Sequence, residues 1–209
     1  MKNYDYIYER LNEVFPNAEC ELDYKDAFSL LIAVILSAQC TDKRVNMVTP
    51  VLFKKYPTAK ELASANQKDV EQIIHSCGFY VNKSKNIINC SKDIVERFDG
   101  NVPSTFDELM TLSGVGRKTA NVVLSTVYNT PAIAVDTHVF RVSNRLGIAK
   151  AKNVEECERQ LMKNFKKENW SKLHHLLVLF GRYNCKSQNP KCEKCVLKDV
   201  CEDMLCKNK

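Results

Sequence analysis

Four cysteines near the end of the chain constrain its folding more than any other feature. Cys185, Cys192, Cys195 and Cys201 follow the spacing C-x6-C-x2-C-x5-C. Short loops between thiols cost little closure entropy, so the four can converge on one soft metal centre. A row of unpaired surface thiols would instead be reactive and hard to maintain. Cys206 follows as an extra. Spacing alone leaves the metal open. Zinc ribbons pair two C-x2-C knuckles, and only one is present here. A four-iron, four-sulfur cube is wider than a zinc ion and suits ligands spread in this way.

The remaining cysteines, of ten in all, fit a reducing compartment better than a disulfide framework. The first residues, Met1-Lys2-Asn3-Tyr4-Asp5, carry no apolar stretch of the secretory kind. The longest apolar run, from Ala27 to Ala38, falls well short of the roughly 20 residues that cross a bilayer. A cytoplasmic protein is expected. Its net charge of +6 permits nucleic-acid binding without requiring it. Between Ser171 and Lys198, six basic residues stand against one acid, Glu193, so much of that excess sits beside the cysteines.

Helical periodicity dominates, and no run of alternating apolar and polar residues marks a strand. Asp26 is a natural N-cap for the run from Ala27 to Leu36, which is apolar on nearly all sides and therefore central to a core. Further helices are expected near 43–54, 59–65, 68–76, 83–98, 105–111, 117–128, 137–146, 153–166 and 171–182. Within 83–98, Ile87, Ser91, Ile94, Val95 and Phe98 share a face, with the charged residues elsewhere. Ser104, with Asp107 three residues on, reads as the cap of the 105–111 helix.

A second constellation is Leu112-Ser113-Gly114-Val115-Gly116-Arg117-Lys118-Thr119-Ala120. A helix ends, a Gly-x-Gly turn follows, and a new helix starts. Glycines permit positive φ and close approach by another backbone. The free N–H groups of the new helix can hold a phosphate oxygen. Ala120, Val123, Leu124 and Val127 form its apolar face, with Lys118 projecting away beside Asn121, Val122 and Ser125. Lys118 is thus either a plain surface lysine or a nucleophile in a cleft. With the ordinary lysine value of about 10.4, very little of the amine is neutral at pH 7, and desolvation and a positive helix end both raise that fraction. Downstream, Asp136 precedes a helix whose Val139, Val142 and Leu146 share one face. It reads as an N-cap, a role compatible with an active-site carboxylate. His138 beside it reads as structural.

Together these strings resemble the endonuclease III family of DNA glycosylases, within the helix-hairpin-helix superfamily. The resemblance runs from about Leu30 to Cys201. It is carried by the run from Leu31 to Asp42, by Gly78-Phe79-Tyr80, by the run from Gly114 to Leu124, by the run from Val135 to Val142, and by the cysteine spacing. It implies an all-α fold of two helical domains with the active site between them. Residues 20–130 would form a six-helix barrel domain with the hairpin; residues 1–19 and 131–209 would form a discontinuous domain carrying the cluster. It implies a [4Fe-4S] cluster on Cys185, Cys192, Cys195 and Cys201. A doubly positive cube on four thiolates nets −2, which lowers the chain's +6 to about +4.

The resemblance also implies a bifunctional enzyme of base-excision repair, a DNA glycosylase and abasic-site lyase acting on oxidised or saturated pyrimidines. Lys118 would be the nucleophile and Asp136 its carboxylate. Gln39 would fill the gap left by an extruded base, and Phe79 would wedge the opposite strand. Gly114, Gly116 and Arg117, with Lys186 and Lys191 of the cysteine loop, would face phosphates. The expected partner is double-stranded DNA containing damaged bases or abasic sites, met by a monomer, with no membrane partner. Monofunctional glycosylases of this fold generally lack lysine at the hairpin position. A non-catalytic DNA-binding module would have no use for the Lys118 and Asp136 pair. The sequence departs from the family in the hairpin, where Ser113 stands in place of the usual proline. That loss should cost several tenths of a kcal/mol of local stability and spare function.

Overall fold

The computed structural model describes residues 3–207, the side chains of 205–207 excepted. The side chain of Cys206 therefore lies outside the described residues. Among those residues the secondary structure is helical, with no strand. The helices are α1 (Tyr4–Val14), α2 (Ala27–Leu36), α3 (Asp42–Lys55), α4 (Ala59–Ala63), α5 (Gln67–Ile74), α6 (Tyr80–Arg97), α7 (Phe106–Met110), α8 (Arg117–Thr126), α9 (Thr137–Leu146), α10 (Val154–Asn164), α11 (Trp170–Tyr183) and α12 (Glu202–Lys207). Short 3-10 turns follow α5 (His75–Cys77) and precede α11 (Lys167–Asn169). No helix among the described residues is long and apolar enough to cross a membrane.

The chain divides into two compact units: Cys20–Tyr128, and Met1–Glu19 with Asn129–Lys209. In the first, α2 is the axial element. Every residue from Phe28 to Leu36 is buried, and α3, α6 and α8 pack around it. Asp26 caps it as its position predicts, accepting from Ser29 N–H at 2.7 Å. Ser29 closes the box by accepting from Asp26 N–H at 3.0 Å. The start of a fully apolar helix is thereby held without a solvent-facing stripe. The α6 helix packs against α2, α4 and α5.

The second unit gathers α1, α9, α10, α11 and α12 around a core that includes Leu11, Val139, Leu146, Leu161, Leu177 and Phe180. Leu197 of the cysteine loop is fully buried in that core. Its burial stabilises the loop by about 1.5–3 kcal/mol, relative to an exposed side chain.

Several local expectations change. Helix α1 lies beyond the helices read from the pattern. Asn3 caps it, accepting from Tyr6 N–H at 3.0 Å. Its inner face is built from Ile7 and Leu11 with Tyr4, Tyr6 and Tyr8 half-buried beside them, and tyrosines blur an apolar stripe. The cap of α7 is Thr105, not Ser104, and its acid is Glu108, not Asp107. Thr105 Oγ1 accepts from Glu108 N–H at 3.4 Å and donates to its carboxylate at 2.6 Å. On α8, Asn121, Val122 and Ser125 are buried with the apolar face, because both α2 and α7 pack against that helix. On α6, one charged residue does not fall on the outer side: Lys83 is buried.

Candidate functional site

The hairpin of the first unit is α7, the turn from Thr111 to Gly116, and α8. Carbonyls of α7 and the turn are used in tight succession: Thr111 N–H donates to Glu108 O, Leu112 to Leu109, and Val115 to Leu112. The two glycines serve different purposes. Gly114 has φ +76°, and a Cβ there would stand 2.8 Å from Asn86 Cβ on α6. Both the backbone and the packing require glycine. Gly116 has an ordinary extended backbone, φ −106° and ψ 177°. A Cβ there would meet nothing within 4 Å. What its missing side chain provides is open access to the start of α8, which has no side-chain cap. An uncapped N-terminus with a bare approach is suited to a phosphate.

Ser113 is the departure from proline, and the turn uses it. Its N–H donates to Asp93 Oδ2 at 2.9 Å and its hydroxyl to the same oxygen at 2.8 Å. Asp93 belongs to α6, so the serine anchors the hairpin to that helix. Proline could make neither bond.

Arg117 and Lys118 open α8 and are both exposed. The Arg117 guanidinium lies over the Phe106 ring, 4.9 Å from its centroid. Lys118 is exposed within its own unit rather than lodged in a cleft of it. Gln39 and Phe79 are exposed on the same unit, and both adopt left-handed backbone, φ +52° and +48°. Phe79 keeps 63% of its surface exposed. Non-glycine residues hold such a left-handed backbone only where the surrounding structure enforces it.

The second unit supplies the carboxylate and the cysteines. Asp136 caps α9 through one oxygen: Oδ1 accepts from His138 N–H and Val139 N–H, both at 2.8 Å. The cap's hydrogen bonds use Oδ1 and not Oδ2. His138 Nδ1 lies 3.2 Å from Arg141 Nη2, and its Cβ packs where a Cβ on Gly181 would stand. His138 is therefore a packing residue.

Cys185, Cys192, Cys195 and Cys201 line one cavity, partly open to solvent, together with Arg145 and Lys191. Among the described residues, no three His, Cys, Asp or Glu side chains converge as they would around a single metal ion. Four cysteines lining one cavity are the donor set a four-iron, four-sulfur cluster takes. Burial first, and neighbouring cysteine thiolates among the further causes, push the Cys195 and Cys201 thiols above their ordinary value. Four thiolates there need a cationic centre between them.

Two arginines one turn apart on α9 hold the loop. Arg141 donates to Cys185 O through Nε at 3.2 Å and Nη2 at 3.1 Å, and to Gly181 O at 2.9 Å. Arg145 Nη1 reaches Cys185 Sγ at 3.6 Å and Lys186 O at 2.7 Å, and Nη2 reaches Ser187 O at 3.1 Å. Sequence reasoning missed both. Their spacing of four on a helix ending near the cysteines was the available signal. Lys186 and Lys191 are exposed.

Thus Gln39, Phe79, Gly114, Gly116, Arg117 and Lys118 belong to one unit, and Asp136, the four cysteines, Lys186 and Lys191 to the other.

Residues 32–167 match the HhH-GPD superfamily of base excision DNA repair proteins, and residues 185–201 match the iron–sulfur binding domain of endonuclease III. The second match begins at Cys185 and ends at Cys201. The chain belongs to the endonuclease III family. It is 49% identical to endonuclease III of Bacillus subtilis over 97% of this chain and 93% of that one. It is 43% identical to endonuclease III of Escherichia coli over 94% and 93%. Among solved structures, that of a trapped endonuclease III–DNA covalent intermediate with an estranged adenine covers both chains fully, at 46% identity and a TM-score of 0.94. The cofactor of the C-terminal loop is a [4Fe-4S] cluster.

Proposed function

We propose that the chain is a bifunctional DNA glycosylase and abasic-site lyase of base-excision repair. Its substrates are oxidised or saturated pyrimidines in double-stranded DNA, and it works as a monomer in the cytoplasm. The observation that carries this reading is an exposed primary amine, Lys118, in the first turn of a helix whose approach is cleared by Gly116.

A base inside a duplex is out of reach, so the nucleotide has to leave the stack. Saturated or oxidised pyrimidines stack less well and are cheaper to extrude. Gln39, on its left-handed turn, fills the space vacated and bonds to the orphaned partner base; Phe79 wedges the opposite strand. The backbone from Gly114 to Lys118 holds a phosphate at the start of α8, and Arg117, Lys186 and Lys191 add positive charge along the strand.

Lys118 Nζ then attacks the sugar C1′, and the bond from C1′ to the base breaks with its electron pair on the base. Asp136, through the oxygen its helix cap leaves over, takes the proton from the Lys118 amine and stabilises positive charge on the sugar. The ring opens as the nitrogen lone pair forms a C1′–N double bond and the C1′–O4′ bond breaks, O4′ taking the proton Asp136 holds; the resulting iminium acidifies the 2′ proton. Loss of that proton expels the 3′ oxygen, and the strand is cut 3′ to the lesion.

Cys185, Cys192, Cys195 and Cys201 hold the cluster. When bound it supplies the iron–thiolate bonds that order the loop between them. Arg141 and Arg145 fix the main chain of the first ligand, and Leu197 anchors the loop in the core.

Incubation with a panel of duplexes, each carrying one lesion, tests the reading. Strand cleavage at oxidised and saturated pyrimidines and at abasic sites, falling steeply with added salt, is expected. Binding without cleavage of any member would leave a DNA-binding module and overturn it.

A further inference from the structure

Gln39 and Phe79 are far apart in the chain, yet both stand just after the end of a helix. Gln39 lies in the turn after α2, and Phe79 follows the 3-10 turn His75–Cys77. Both turns hold a non-glycine residue at positive φ, +52° at Gln39 and +48° at Phe79. Such a backbone persists only where surrounding structure enforces it. Helix ends also present carbonyls without intrahelical donors, at the negative end of the helix dipole.

One buried group meets both ends. Lys83, on the first turn of α6, is 5% exposed. Its Nζ donates to Leu36 O, the last residue of α2, at 2.9 Å and to Cys77 O, the last of the 3-10 turn, at 2.9 Å. Its own backbone N–H donates to Phe79 O at 2.9 Å. Burial pulls its ammonium below the ordinary value, partly opposed by the Cys40 and Cys77 sulfurs, and the acceptors that meet its Nζ are carbonyls. An ammonium buried without a carboxylate is costly, and a methionine would pack there with no such penalty. The cost is set against a connection: Leu36 stands three residues before Gln39, and Cys77 two before Phe79.

We propose that Lys83 is a positioning residue for duplex engagement, its ammonium tying the turn that presents Gln39 to the turn that presents Phe79. The two side chains then enter the DNA as one rigid unit, and the strain at both is sustained by one shared anchor. This rests on the reading of Gln39 and Phe79 as DNA contacts.

The test compares two substrates for each purified, cluster-loaded variant: a lesion in duplex DNA, and an abasic site in single-stranded DNA, where no partner base or opposite strand exists to be filled or wedged. Lys83→Met should keep cluster absorbance and helical circular dichroism. Its duplex rate should fall by on the order of tenfold to a hundredfold relative to its single-strand rate, the scale of a small misplacement of binding groups. Combining Lys83→Met with Gln39→Ala and Phe79→Ala should add little to the loss the alanines cause. If Lys83→Met does not accumulate as folded protein, Lys83→Gln, shorter but retaining two donors, is read for the same split. Equal losses on both substrates would mark a merely structural lysine and overturn the inference, as would an unchanged duplex rate while the alanine variants are defective. Silent alanine variants would instead overturn the DNA-contact reading, and this inference with it.

Discussion

Ser113 and Asp93 are joined twice, the serine N–H and hydroxyl both donating to one carboxylate oxygen at 2.9 and 2.8 Å. The hairpin that carries Lys118 is thereby fastened to α6, the helix whose Asn86 also fills the space beside Gly114. The serine replaces conformational stiffness with a direct bond. Ser113→Pro, although it restores the residue usual in the family, should destabilise the protein. Proline recovers several tenths of a kcal/mol from the unfolded state and forfeits two partly solvent-screened hydrogen bonds worth about 1 kcal/mol each, for a net loss of about 1–2 kcal/mol. Thermal denaturation of the two proteins decides it; an unchanged or raised midpoint would mean that the pair contributes nothing.

Lys118→Gln should abolish strand cleavage and the covalent adduct that borohydride leaves when added during turnover. DNA affinity should hold, since the backbone N–H groups at the start of α8 remain. The adduct is read as a slow-migrating band on a denaturing gel. Adduct at the normal rate would place the nucleophile elsewhere.

Asp136 has two roles that substitution can separate. Asp136→Asn keeps an acceptor for the His138 and Val139 N–H groups, so stability should change little, while base release slows by orders of magnitude. Asp136→Ala should lose the cap as well, costing about 1 kcal/mol. Single-turnover base release beside thermal melting distinguishes them. Equal activity in Asp136→Asn would confine the residue to capping.

The cysteine loop predicts a yellow-brown protein with about four irons per chain. Cys195→Ser should lose both colour and iron, whereas Cys206→Ser should lose neither. Arg145→Met removes donors to Cys185 Sγ, Lys186 O and Ser187 O, and should speed loss of iron to a chelator while leaving the rest of the helical content intact. One zinc per chain without colour would contradict the whole assignment.

Burial lowers the His175 imidazole to about 4. The folded protein therefore resists a proton that the unfolded chain accepts near its ordinary value of about 6.5. Stability from this source is complete above about pH 6.5 and is lost as pH falls toward 4, by about 3 kcal/mol in all. His175→Gln should flatten the part of the acid limb between those values, measured by denaturant unfolding at pH 7 and pH 5. An unaltered difference between the two pH values would show that the imidazole is free to charge in the folded state.

What the sequence determined by itself was whatever depends on near neighbours. Asp26 capping α2, the buried face of Val139, Val142 and Leu146, the helical character and the cysteine spacing all follow from residues a turn or a short loop apart. The family resemblance gathered the same local strings. Tertiary structure decided what depends on partners distant in the chain. A lysine on a polar-looking helix reads as solvated, and only the meeting of two helix ends at its ammonium makes Lys83 a buried strut. A serine in place of proline reads as a small loss, until Asp93 is found opposite it. Arg141 and Arg145 have no role legible along α9 itself, and become a clamp only because the cysteine loop returns to that helix. The left-handed backbone of Gln39 and Phe79 has no local signature either, since neither is a residue that prefers it. Periodicity reports which face of a segment is apolar. It carries no information about which distant carbonyl or carboxylate a charged side chain will find once the segments pack, and those charged side chains position the residues proposed to act on DNA.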